Sequence, residues 1–272
     1  GVGQSQRRET MTAQFRIHQS MEQGVLTFRL DRPGALNCWD LETLTQFREE
    51  LVRHSEREDL RAVVLTGAGG AFSAGAWIPY LLEQLQQENL RGLRRLAENT
   101  REILLSIRRL PQFTIAALNG PALDGGLNLA LACDCVLAGR DVVLGYPFVE
   151  IGLQPDVGSG PLLTERLGAW EAMRCLLEGK LLSASTAKQM GLLQEVINGE
   201  ELVRRTLALA GWAASLPPVV LRGVKRGLQR SIAGTSAWDG EVDNRVRSLL
   251  SHDFHEGVAA FIENRRPRFT GH

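Results

Sequence analysis

In the segment GYPFVEIGLQPDVGSG (145–160) a single aspartate, Asp156, follows the apolar run IGL and sits between Pro155 and the pair Val157-Gly158. Two roles are open to it from residue type and spacing. It is a turn or helix-capping residue after Pro155, or a carboxylate that Phe148, Leu153 and Val157 desolvate, which raises its pKa and makes it a better base. Two glycine-rich segments offer the complementary chemistry. GAGGAFSAGA (67–76) and Asp124-Gly125-Gly126 each follow an apolar run, and their small side chains leave backbone N–H groups unshielded. Two N–H donors on separate loops are what an oxyanion hole requires.

Other chemistries are disfavoured. Phe72 stands where a dinucleotide fingerprint needs its third glycine, and no Gly-Lys-Ser/Thr completes a phosphate-binding loop. There is no G-x-S-x-G elbow. His252 and His255 are spaced for a solvated helix face, as are Arg94-Arg95 and Arg108-Arg109. Cys133 and Cys135 lack a second pair to close a zinc site, so the four cysteines are expected to be free thiols in a reducing, cytoplasmic compartment, with no metal. Thirty-one basic residues against 31 acidic ones create no field for nucleic acid or an anionic membrane. No apolar run approaches the roughly 18 residues of a membrane span.

Period-two and helical patterns place these residues in an α/β chain. Strands are expected over 24–33, 61–66, 113–118 and 135–139, with a helix from the N-cap Asp40 to about His54. One long amphipathic stretch runs from Leu85 through Leu93, Leu96 and Ile103 to Ile107, stopped by Pro111. From Gly160 onward the pattern is helical. Residues 1–14 are expected to be an extension, in part of cloning origin, because GVGQSQRRET lacks the apolar stretch of a secretory signal. Residues 15–199 would form the core, and 200–272 a helical region.

Five segments then occur in an order that resembles the crotonase, or enoyl-CoA hydratase/isomerase, family: FSAGA (72–76), NGPALDGGLNLALACD (119–134), IGLQPDVGSG (151–160), SASTAKQMGLLQEV (183–196) and HEGVAAFIENRRPRF (255–269). The resemblance runs from about Phe15 to Phe269. It implies the ClpP/crotonase-like fold, a spiral of β-β-α units with a helical C-terminal trimerisation region, and a homotrimer or dimer of trimers. It implies a coenzyme A or carrier-protein acyl thioester as substrate and no prosthetic group. By motif position, the amides of Ala76 and Gly125 would grip the thioester oxygen, while Arg32, Ala35, Ser73 and Ala74 would lie along the coenzyme A moiety. Trp77, Tyr80, Asp124, Asn128 and Phe148 would line the acyl pocket.

The two glutamates of the family's hydratases are missing, replaced by Asn128 and Phe148, and neither can titrate. The resemblance is nearest to dienoyl-CoA and phenylacetate-pathway isomerases, in which an aspartate in the matching P-D-x-G segment transfers protons. One carboxylate suffices for a double-bond shift, since it removes a proton at one carbon and returns it at another. The expected activity is therefore a double-bond isomerase with Asp156 as its proton shuttle and Asp124 as second-choice acid. Tyr80, four residues past Ala76, keeps open a decarboxylase or atypical hydratase, and the lost glutamates keep open a non-catalytic acyl-CoA-binding relative.

Overall fold

The computed structural model describes residues 15–32, 34–147, 153–233, 252–263 and 265–271. Phe148 lies outside them, so its expected place in the acyl pocket has no structural counterpart here. A six-stranded sheet has the order β1-β2-β3-β4-β6-β9, made of β1 (Arg16–Glu22), β2 (Val25–Asp31), β3 (Ala62–Gly67), β4 (Phe113–Leu118), β6 (Cys135–Gly139) and β9 (Glu195–Ile197). Only β1 and β2 pair antiparallel; the rest is parallel. A small second sheet joins β5 (Ala122–Leu123), β7 (Val143–Gly145) and β8 (Leu182–Ser183).

The central strands are apolar on both faces because both are covered. Phe28, Leu65, Leu118 and Val136 face the main core, which is closed by α1 (Leu41–Ser55), α3 (Leu90–Arg109) and α4 (Gly125–Leu131). Alternate residues, including Val64, Ile115 and Leu137, face Leu202 and Ala210 of α7 (Gly199–Ala214). Asp40 caps α1 as expected, accepting from the Thr43 N–H while the Thr43 hydroxyl accepts the Asp40 N–H. Such a cap stabilises by about 1 kcal/mol.

The long amphipathic stretch is two helices, not one. α2 (Ile78–Gln86) ends before Glu88, which has φ of 52°, and Asn89 starts α3 by accepting the Gly92 N–H. That cap outcompetes helix continuation, and Leu85 is left exposed. The edge strand β1 carries no apolar alternation; it exists because all seven of its residues pair with β2. The later helices are α5 (Ser159–Glu178), α6 (Ala184–Met190), α7, α8 (Pro218–Ala233) and α9 (His252–Ile262). Among the described residues no single helix is long and apolar enough to cross a membrane. All four cysteines are free thiols; Cys133 and Cys135 are buried, Cys38 and Cys175 half-buried.

One ion pair ties the helical region to the sheet. Lys225 of α8 donates to Asp134 (2.6 Å) and to the Gln112 carbonyl (2.9 Å), and Asp134 also accepts from the Thr114 N–H and hydroxyl. The lysine side chain is buried. Asp134 stays open to solvent when its partner is removed, so Lys225→Met is expected to destabilise by about 1 kcal/mol. Chemical denaturation would read this as a lower midpoint at unchanged slope; no shift would mean the pair is fully hydrated.

Candidate active site

The first loop, 67–76, is held by two asparagines. The Asn37 side chain donates to the carbonyls of Ala68, Ala71 and Phe72, and its oxygen accepts the Arg32 N–H. Asn119 takes the Gly67 N–H and donates to Gly69 and Ala71. Ser73, fully buried, donates to the Asn37 carbonyl and accepts the Gly75 N–H. The loop end pairs with Trp39: Trp39 N–H donates to Gly75 O and Trp77 N–H to Trp39 O. This parallel bridge uses the groups on either side of Ala76 and turns the Ala76 N–H the other way.

The second loop abuts the first. A Cβ on Gly75 would lie 2.9 Å from the Gly125 nitrogen, and one on Gly126 would lie 2.1 Å from the Ser73 carbonyl. Gly75 also has φ of 80°. Glycine is required here because two backbones touch. The contact brings the loops carrying Ala76 and Gly125 together, as an oxyanion hole demands, and Gly125 begins α4, whose N-terminal amides favour negative charge.

Asp156 lies directly over Gly125. A Cβ on Gly125 would stand 2.4 Å from Asp156 Oδ2 and 2.9 Å from Cζ2 of Trp39. Oδ1 accepts the Val157 N–H (2.7 Å), and Oδ2 is buried without a partner among the described residues. Asp156 does not cap α5; that helix starts from Gly158, with no side-chain cap. Burial pushes its carboxyl up to about 6, against which only the Val157 N–H works. On its far side lies a hollow of about 950 Å³ with an apolar wall of Ala172, Met173, Leu176 and Leu177.

Asn128 does something other than shape the pocket. It is fully buried in α4, and its amide donates to the carbonyls of Asp156 and Val157 and to the Ser159 hydroxyl, while the Tyr146 hydroxyl donates to its oxygen. It is a latch on the loop that carries Asp156. Asp124 is buried too, accepting the Asp156 N–H at Oδ1 (2.9 Å). Burial raises its carboxyl to about 7; the charge of Asp156 adds to the rise, and the N–H groups of Asp156 and Gly125 work against it.

Two of the residues expected along coenzyme A have their side chains engaged within the protein. The Arg32 guanidinium is buried, donates to Asp40 and the Cys38 carbonyl, and stacks 4.0 Å above the Trp77 ring. It anchors the polypeptide instead of reaching outward. The Ser73 side chain is consumed inside its own loop. Ala35 is half-buried in a turn closed by the Cys38 N–H, and Ala74 packs beside it through the Leu36 carbonyl. Trp77 and Tyr80 are half-buried, and neither lines the apolar hollow. Burial, then the charges of Asp40 and Glu83, raises the Tyr80 hydroxyl, so it stays protonated.

Sequence reading missed Trp39, whose indole packs on Gly125 and whose Nε1 is buried without a partner among the described residues. It also missed Tyr146 and Ser159. The signal available was a buried-type tyrosine after Gly145 and a serine at a helix start; their meeting at Asn128 is a tertiary fact.

The fold and these loops place the protein in the crotonase class, and the comparisons agree. Residues 20–272 match the family described as enoyl-CoA hydratase/isomerase. The chain is 32% identical to a probable enoyl-CoA hydratase of Rhodobacter capsulatus over 94% of its length and 98% of the relative's. It is 33% identical to the 1,2-epoxyphenylacetyl-CoA isomerase of Escherichia coli over 92% of its length and 97% of that protein's. Among solved structures, an enoyl-CoA hydratase from Bacillus anthracis superposes with a TM-score of 0.90 at 29% identity, covering 94% of this chain and 99% of that one. DspI of Pseudomonas aeruginosa gives 0.87 at 30%, covering 93% and 96%. The chain belongs to the enoyl-CoA hydratase/isomerase family and has the crotonase fold.

The raised Asp156 carboxyl makes a stability prediction. Below about pH 3 the group is neutral folded and unfolded; as pH rises past the ordinary aspartate value toward about 6, only the unfolded chain ionises freely, and the folded state loses stability. Asp156→Asn removes that penalty while its side-chain oxygen can still accept the Val157 N–H. Its melting temperature is expected to exceed wild type at about pH 8 and to equal it near about pH 3. Equal curves at both would mean the carboxylate is hydrated.

Proposed function

We propose that the protein is an acyl-thioester isomerase that moves a carbon–carbon double bond through an enolate, with Asp156 as the proton shuttle. The observation that carries this is the buried Oδ2 of Asp156, which has no partner among the described residues and lies over Gly125, with the rest of the residue at the edge of an apolar hollow. An acid held there without a partner is costly unless a substrate supplies one.

In this reading the thioester oxygen sits between the Ala76 and Gly125 amides, and the acyl chain enters the hollow. Ionised Asp156 takes a proton from C2 of a 3-enoyl thioester. The C–H electron pair moves into the conjugated system, and the negative charge gathers on the carbonyl oxygen. Each amide stabilises that charge by about 3 kcal/mol. The proton then returns at C4, leaving the 2-enoyl thioester and a restored carboxylate. Asn128 fixes the height of the Asp156 loop, and Trp39 closes the site above Gly125.

Coenzyme A is substrate in this scheme, and no redox group is used. The isomerase named among the relatives supports the reading; the hydratases so named make hydration the necessary control. The assembly that the resemblance implies, a homotrimer or dimer of trimers, would bury apolar side chains such as Trp170 of α5, which is exposed in the single chain.

Incubation with a 3-enoyl-CoA is expected to give growing absorbance of the conjugated thioester. Asp156→Asn should lower the rate by at least about 100-fold with folding intact. Undiminished conversion by the variant, or hydration of a 2-enoyl-CoA faster than isomerisation, would overturn the assignment.

A further inference from the structure

The loop that carries Asp156 is latched by the Asn128 amide, and that amide depends on one hydroxyl. Asn128 directs its Nδ2 at the carbonyls of Asp156 (3.3 Å) and Val157 (3.1 Å) and at the Ser159 hydroxyl (2.8 Å), which in turn donates to the Asp156 carbonyl (2.7 Å). Turned end for end, the amide would set its oxygen against two carbonyls, so only one orientation serves the loop. That orientation leaves Oδ1 buried and in need of a donor. Among the described residues its one partner is the Tyr146 hydroxyl, 2.7 Å away. Without that hydroxyl, Asn128 keeps an unmatched buried oxygen or swings off the loop to find water, and both are unfavourable.

Tyr146 stands where this dependence matters. It is buried, follows β7 directly and does not line the hollow beside Asp156. Gly145, its neighbour, pairs with Leu123 of β5 and accepts the Asp124 N–H (2.9 Å). The main chain here therefore fixes the residue before Gly125, while the next side chain fixes Asn128 one turn further along α4. Both halves of the site, the Gly125 amide and the Asp156 carboxyl, are referred to the same two residues. We propose that Tyr146 is a positioning residue for proton transfer: acting through Asn128, its hydroxyl sets where the Asp156 carboxyl stands relative to the Gly125 amide. The inference rests on the isomerase reading and extends it to a side chain outside the hollow.

A hydroxyl that only stabilised the fold would cost stability when removed, and each folded molecule would turn over as before. A positioning hydroxyl leaves the thioester grip intact and moves the base. Proton transfer is steep in that placement, a displacement of about 1 Å costing about 100-fold in rate. The loss falls on kcat with KM little changed, because the ground-state contacts of the thioester survive.

The test is steady-state isomerisation of a 3-enoyl-CoA, unlabelled and deuterated at C2, by wild type, Tyr146→Phe, Asn128→Ala, the double variant and Lys225→Met. Tyr146→Phe is expected to lose at least about 10-fold in kcat with KM within about twofold, and to show a larger deuterium isotope effect as proton transfer becomes the slow step. In the Asn128→Ala background the same change is expected to cost almost nothing further, since it acts through that amide. Lys225→Met, destabilised outside this network, should keep its kcat per folded molecule. Ser159→Ala loosens the amide from the loop side and carries the same kcat and isotope readouts if Tyr146→Phe does not fold. A Tyr146→Phe enzyme with wild-type kcat and isotope effect, a loss that adds fully to that of Asn128→Ala, or an equal loss in Lys225→Met, overturns the proposal while leaving Asp156 as shuttle. A wild type that converts no 3-enoyl-CoA overturns the isomerase reading, and this inference with it.

Discussion

The loop carrying Ala76 and the start of α4 touch backbone to backbone, and the site exists only because they do. Gly75 lies against the Gly125 nitrogen and Gly126 against the Ser73 carbonyl, at separations that no side chain survives. A methyl group at any of these positions would wedge the loops apart and separate Ala76 from Gly125. The asparagine clamps from Asn37 and Asn119 and the strand-like pairing of Trp39 with Gly75 and Trp77 act in support. They remove the freedom that a run of glycine and alanine would otherwise have, so the donors stand in place before any ligand arrives.

Onto this fixed platform the fold lowers a single acid. The loop before α5 is latched by Asn128 from below, by Asp124 at the Asp156 N–H, and by Ser159, which donates to the Asp156 carbonyl. Many polar groups near Asp156 are therefore consumed in holding the main chain, and among the described residues its Oδ2 and the Trp39 Nε1 are left unmatched. Where hydratases of this family place glutamates, this chain has put a structural amide at Asn128. The chemistry has been concentrated in fewer titrating groups, and the packing around them has become more demanding.

Electrostatics set the tone of the site. Two carboxyls lie within one hydrogen-bonded loop contact, both desolvated and neither paired with a described cation. Burial raises both, and each makes the other harder to ionise. The Arg32 guanidinium meets Asp40 and the Trp77 ring. That of Arg166 donates to the carbonyls of Leu131, Leu162 and Cys133.

Much of the scaffold was legible from the amino-acid sequence alone. The parallel strands are written as apolar runs, α1 as a capped helix after Asp40, and the two loops as glycine clusters after strands. These features are local, set by side-chain pattern and backbone freedom within a few residues. The ordered motifs carried the family, and with it Asp156. Tertiary structure alone decided the rest. It built β1 from pairing instead of pattern, turned the Arg32 and Ser73 side chains inward, and made Asn128 a latch. It also set Trp39 beside Gly125. Each of these depends on what a residue meets outside its own element, and burial, contact and the field of a neighbouring charge have no expression in local sequence.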